Sequence, residues 1–159
     1  MLTVEEARRV LRYDPETGEF FWRVKVGVRG VVGARAGSLM AKGYRMIQYN
    51  GKGYLDSRHA WFMTTGDWPK NQIDHADTNK ANNRFSNLRD ATQTQNMRNR
   101  SAHKRNEFGK GVSRQDEKYT ARIRVDGCRK YLGIFSTAAD AKAAYDSAAQ
   151  RLHGEFFRP

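Results

Sequence analysis

The sequence predicts an α+β protein assembled from small units, and three observations carry that expectation. Aromatic and alternating stretches flank the dipeptides Asn50-Gly51 and Asp126-Gly127, which tolerate the positive φ angles of a tight hairpin turn. Apolar residues recur at helical spacing near residues 3–13, 58–65 and 137–155. Aromatic residues make up 11% of the 159 and run along the whole chain, so several small cores can form although 29% of residues are charged.

Taken in order, Thr3 and Glu6 form a capping-box pattern, and Leu2, Val4, Ala7, Val10 and Leu11 give one apolar side to a short helix ending near Tyr13. YDPETGEFFWRV then reads as a small strand pair, turned by Asp14-Pro15 and Thr17-Gly18 and continued by Phe20, Phe21, Trp22 and Val24. The glycine-rich, basic piece from Gly27 to Ser38 has few side chains to pack. It reads as a flexible loop, either laid on a phosphate backbone or a solvated connector. Two strands are expected around Asn50-Gly51, and a helix from about Arg58 to Thr65, where Gly66 breaks it. On that helix His59 is expected to be packed or capping rather than a ligand. Trp68-Pro69 re-enters an extended segment leading to Ile73.

Beyond Arg98 the residues Arg100, Lys104, Arg105 and Lys110 crowd a stretch with no apolar period, which reads as a basic linker and marks a boundary. Past it, Tyr119, Ala121, Ile123 and Val125 alternate with Thr120, Arg122 and Arg124, placing one strand face inward and the arginines outward. Asp126-Gly127 turns the next hairpin. Thr137 with Asp140 caps a helix whose Ala141, Ala144, Tyr145, Ala148 and Leu152 form one stripe, small enough for the axis to lie close to a sheet.

A net charge of +12 and a pI near 10.1 attract polyanions, with nucleic acid the first partner and an anionic membrane surface the second. The lone Cys128 excludes a disulfide framework and a cysteine-rich zinc site within one chain. The start MLTVEEARRVL has acids where a secretory signal needs an apolar core, and no apolar run is long enough to span a bilayer. A soluble, cytoplasmic protein is expected.

The chemistry concentrates in Ile73 to Leu88, IDHADTNKANNRFSNL. An acid-imidazole pair closes an apolar strand, followed by an asparagine-rich loop, a second strand at LRDAT and a helical start at TQTQNMRNR. On that frame Asp74 offers a hard anionic oxygen and Asn96 an amide oxygen, which suit Mg²⁺ better than zinc. His75, on the opposite strand face, has the ordinary pKa of a general base working at neutral pH.

These residues resemble the HNH nuclease motif of phage and intron-borne homing endonucleases, a ββα-metal fold. The resemblance spans about Trp61 to Asn99 and rests on WPKNQIDHAD, NNRFSNLR and QNMRN. It implies His75 as general base, Asn87 as the central asparagine that holds the loop, and Asn96 as a metal ligand beside Asp74. Asparagine rather than histidine at the last position favours Mg²⁺ or Mn²⁺. The implied reaction is phosphodiester hydrolysis, with one metal stabilising charge on the phosphoryl and departing 3′ oxygens and with Arg84, Arg89 or Arg98 holding the phosphate.

From Gly109 to Gly154 the chain resembles the Apetala-type domain of plant ethylene-response transcription factors, carried by GKGVSR, YTARIRV, RKYLGIF and TAADAKAAYDSAAQRLHGE. That family lays a three-stranded antiparallel sheet, backed by one helix, on the major groove. The resemblance implies Arg114, Arg122, Arg124 and Lys130, as a group facing one way, for base or phosphate contacts, with Tyr131 at an aromatic position. Arg122 and Tyr119 depart from the plant pattern, so the plant target sequence does not transfer.

Four parts are therefore expected: a β-rich region over 1–56, a nuclease core over 57–100, a basic linker over 101–108 and a sheet-based DNA-binding domain over 109–159. The partner is double-stranded DNA, bound with strong salt dependence. A non-cutting DNA-binding regulator is the alternative, and a basic RNA-associated protein a third.

Overall fold

The computed structural model describes residues 3–28, 30–49, 51–99, 106–125 and 127–157, with the side chain of Arg98 outside the description. The fold is α+β, its strand pairs antiparallel, and it divides into two compact units, Met1–Gln93 and Thr94–Pro159.

In the first unit, α1 (Val4–Val10) starts from a complete capping box: Glu6 N–H donates to Thr3 Oγ1 at 3.2 Å, and Thr3 N–H to Glu6 Oε2 at 2.9 Å. Leu2 lies outside the described residues. The helix stops short of Tyr13 because Leu11 opens β1 (Leu11–Asp14), pairing with Trp22 of β2 (Glu19–Trp22). Both Val10 and Leu11 are buried. An apolar pair at a helix end serves the core equally well as the start of a strand, which is why the helical pattern overran. The Asp14 carboxylate accepts from the Glu16 and Thr17 amides in the intervening turn.

The stretch Gly27–Ser38 is not the loose loop its composition suggests. Trp22 N–H donates to Ala34 O at 3.0 Å, Gly33 N–H to Trp22 O at 2.8 Å and Ala36 N–H to Phe20 O at 2.7 Å, which pins residues 33–36 along β2. Backbone groups need no side chains to pair, so glycine content did not betray this. Next come β3 (Ser38–Leu39), β4 (Arg45–Tyr49) and β5 (Lys52–Leu55), ordered β3-β4-β5 in one sheet. Gly51 adopts φ +72° in the β4–β5 turn, and Asn50 lies outside the described residues.

Helix α2 (Asp56–Thr65) begins two residues before Arg58 and ends at left-handed Gly66, whose N–H reaches Phe62 O. Strands β6 (Gln72–His75) and β7 (Leu88–Ala91) then pair. One apolar cluster, including Val10, Leu11, Phe20, Trp22, Ile47, Phe62 and Leu88, runs through the unit. His59 is packed: it is fully buried, edge-on to Phe20, Tyr54 and Trp68.

Helix α3 (Gln93–Arg98) straddles the division between the units. Of the basic linker, Arg100, Lys104 and Arg105 lie outside the described residues. In the second unit β8 (Val112–Gln115), β9 (Lys118–Val125) and β10 (Cys128–Phe135) form a sheet ordered β10-β9-β8. Helix α4 (Ala138–His153), capped by Thr137 through the Asp140 amide, packs on it by Ala141, Ala148 and Ala149. Leu152 is exposed and Ala149 buried, so the stripe drifts along the helix, as a 3.6-residue period does against a straight line of contact. Gly111, at φ +69°, admits no side chain: a Cβ there would stand 2.2 Å from the Tyr145 ring. Among the described residues no helix is long and apolar enough to cross a membrane.

Candidate active site

The approach to β6 is anchored before the site begins. Arg58 donates to the carbonyls of Asn71 and Pro69, and the Lys70 and Asn71 amides donate to the Asp90 carboxylate on β7. These contacts set the register in which Asp74 faces Arg89 and His75 faces Leu88. Asp74 and His75 are both buried, at 4% and 5% exposure. Asp74 forms an ion pair there with the Arg89 guanidinium.

The His75 ring is held by its Nε2, 3.1 Å from the Asn83 side-chain oxygen, with Tyr44 tilted alongside. Burial lowers the His75 pKa, and the Asn83 bond and the carboxylates of Asp77 and Asp74 only partly restore it. The ring is therefore neutral at pH 7, the form a general base requires.

The asparagine-rich loop between the strands is ordered by its own side chains. Asn87, closing the 3₁₀ turn Phe85–Asn87, accepts from the Asp77 amide at 3.0 Å, then donates to Asp77 Oδ1 at 2.9 Å and to Asn82 O at 2.8 Å. Asp77 also accepts from the Asn79 amide and the Asn82 side chain. Burial opposes its charge, but these donors outweigh that and lower its pKa. Thr78 adopts φ +64° at the loop's sharpest point.

Behind the loop stands the β1–β2 hairpin. Tyr13 Oη donates to Asn83 O at 2.7 Å, and Phe85 N–H to Pro15 O at 3.2 Å. A Cβ on Gly18 would lie 2.4 Å from Arg84 N, so only glycine allows this approach.

This strand-loop-strand carries a buried, neutral imidazole next to a buried carboxylate. Residues 54–98 match the family described as HNH endonuclease. The chain is also similar to an uncharacterized HNH endonuclease of Acanthamoeba polyphaga mimivirus, 38% identical over 88 residues, covering 55% of this chain and 46% of the relative. It thus spans about half the length of the curated relative it matches. No solved structure matches it significantly.

HNH nucleases generally use a divalent metal. Among the described residues no group of three or more His, Cys, Asp or Glu is placed to hold one. Taken singly, each expected donor is of a type that suits a hard ion: Asp74 offers a buried carboxylate and Asn96 an amide oxygen. Asn96 is half-buried on α3, within the second unit.

Of the basic candidates in the HNH segment, Arg84 is exposed, Arg89 is committed to Asp74, and the Arg98 side chain lies outside the described residues. In the second unit, strand register sorts the remainder. Arg122 pairs with Tyr131 and Arg124 with Arg129, so these four share one sheet face, with the Arg122 guanidinium 5.9 Å from the Tyr131 ring centroid. Lys130 pairs with buried Ile123 and Arg114 with Tyr119, which puts both on the α4 side. The expected single group is thus split, because side chains alternate and Lys130 is one residue out of phase with Tyr131. Thr120, expected outward, is buried with its hydroxyl 3.0 Å from Ser113 Oγ.

Sequence reasoning passed over Asn83 and Asp77, hidden in a run that reads as solvated, and Arg129. Only the last was recoverable, by counting outward from the two-residue turn.

Proposed function

We propose that this chain is a DNA endonuclease of the HNH homing type, hydrolysing phosphodiester bonds in double-stranded DNA. The observation that carries this reading is His75, buried and neutral beside Asp74 within the stretch that matches HNH endonucleases. His75 acts as general base on the attacking water. Asp74 and Asn96 hold one divalent ion, Mg²⁺ or Mn²⁺, which when bound supplies Lewis-acid stabilisation of charge on the phosphoryl and departing 3′ oxygens. Asn87 keeps the loop closed, and Arg84, Arg89 or Arg98 meets the scissile phosphate, exposed Arg84 being the first choice.

The second unit is proposed as an Apetala-like DNA-binding domain over 109–159, joined by the basic linker 101–108 to a nuclease core over 57–100 and the β-rich region 1–56. Arg122, Arg124 and Tyr131 face the major groove. Arg114 and Lys130, on the helix side, add phosphate attraction. The protein works in the cytoplasm, where DNA is accessible.

One observation favours a second reading, a non-cutting DNA-binding regulator: the Asp74 carboxylate is already neutralised by Arg89. Supercoiled plasmid separates the two. Nicking with Mg²⁺ that is abolished by chelator and by His75→Ala supports the nuclease; tight binding without nicking supports the regulator.

A further inference from the structure

We propose that Asn83 is a positioning residue for His75, and that the β1–β2 hairpin exists in part to brace Asn83. The inference rests on the nuclease reading for its catalytic purpose, but the geometry behind it is independent of any metal.

An amide oxygen only accepts, so the 3.1 Å contact of Asn83 Oδ1 with His75 Nε2 requires the proton on Nε2. That leaves Nδ1 as the basic nitrogen of the neutral ring. Asn83 has 1% exposure, and its Nδ2 has no hydrogen-bond partner among the described residues. A buried, half-satisfied amide is a standing cost, and its one side-chain bond is to the imidazole. Loop asparagines with only a turn to make, such as Asn79 and Asn82, bond locally and are not fully buried.

Asn83 is held from behind by a separate element. The Tyr13 hydroxyl takes its carbonyl at 2.7 Å, and Gly18 presses the Asn83–Arg84 peptide so closely that a methyl group would collide. Tyr13 is itself fixed by Phe20, with ring centroids 4.7 Å apart. Hairpin, Asn83 backbone, Asn83 amide and imidazole thus form one chain of contacts. It fixes both the aim and the tautomer of the base from a segment about sixty residues upstream, outside the matched residues 54–98.

The test uses the full-length, metal-free chain for structure and the Mg²⁺-loaded chain on plasmid for kinetics. Ring ¹⁵N shifts of His75, assigned by their loss in His75→Gln, report the tautomer at a pH where the ring is neutral. The wild-type ring should read as Nε2–H. Asn83→Leu, similar in size but without an acceptor, should release the ring to a mixture of tautomers. Its kcat should fall on the order of 100-fold, the lower end of what a positioned base contributes, with KM unchanged. Asn83→Asp restores an acceptor oxygen and should recover the Nε2–H form. Tyr13→Phe, which removes only the hydroxyl, should give a smaller loss of kcat in the same direction. A wild-type ring protonated on Nδ1, or an Asn83→Leu chain with unchanged tautomer and kcat, overturns the proposal. A chain that holds the Nε2–H form in wild type and loses it in Asn83→Leu, yet never nicks plasmid, overturns the nuclease reading while supporting the brace.

Discussion

Asn87 and Asp77 grip each other twice, the Asp77 amide donating to the Asn87 side-chain oxygen at 3.0 Å and the Asn87 amide returning a bond to Asp77 Oδ1 at 2.9 Å. Asn87→Ala strands both partners and the Asn82 carbonyl. Unfolding in urea should show a loss of about 1–3 kcal/mol, and plasmid nicking should disappear with it. Asn87→Asp, which sets a second carboxylate against Asp77, should be at least as damaging; a fully stable, active Asn87→Asp chain would show that the loop is closed by something else.

Arg84 and Arg89 lie five residues apart and should behave as different kinds of residue. Arg89→Leu leaves the Asp74 carboxylate buried without its cation, a change worth roughly 3–5 kcal/mol of stability. Arg84 is exposed, so Arg84→Ala should leave stability unchanged but lower the salt dependence of DNA binding by about one ion. Denaturant melts and a salt titration of binding separate the two.

Two buried groups titrate in opposite senses over the same pH window. Burial depresses His59 to about 4, so between that value and 6.5 the unfolded chain takes up a proton the folded chain refuses, and stability falls on acidification. Burial raises Asp56 to about 7 despite Arg45 and Arg35; between 3.8 and 7 the folded chain keeps a proton the unfolded chain loses, and stability falls as pH rises. They amount to roughly 3 and roughly 4 kcal/mol, so together they should largely cancel and leave wild-type stability nearly flat there. Asp56→Asn should expose a steep acid loss, and His59→Phe a loss toward neutral pH, read from urea midpoints across the range.

On the second unit, Arg122→Ala and Arg124→Ala should each weaken duplex binding and reduce the salt slope by about 0.9. Arg114→Ala and Lys130→Ala, on the helix side, should change sequence preference least. Equal loss of specificity from all four, measured by competition with unrelated duplex, would mean that the open face is not the reading face.

What the sequence disclosed follows from where side chains carry the information. Thr3 with Glu6, Thr137 with Asp140 and the glycines at residues 51 and 127 act through their own chemistry, and the helix starts and hairpins they mark form where read. The pairing of residues 33–36 with β2 is made by backbone hydrogen bonds, with an Arg35–Glu19 ion pair beside them, and glycine content gave no sign of it. Within the site, the acid-imidazole pair was conspicuous. Asn83 was not, because its contact with His75 depends on a fold-back that brings residue 83 to residue 75, and an asparagine among asparagines offers no contrast.

The cluster joining Val10, Leu11, Phe20, Trp22 and Ile47 to Phe62 and Leu88 ignores the edge at which the family likeness begins. Expressed alone, residues 54–98 would keep Phe62 and Leu88 but lose Val10, Leu11, Phe20, Trp22 and Ile47 from the cluster they share. The matched segment is portable on paper only; as a physical object it shares one apolar interior with the first fifty residues.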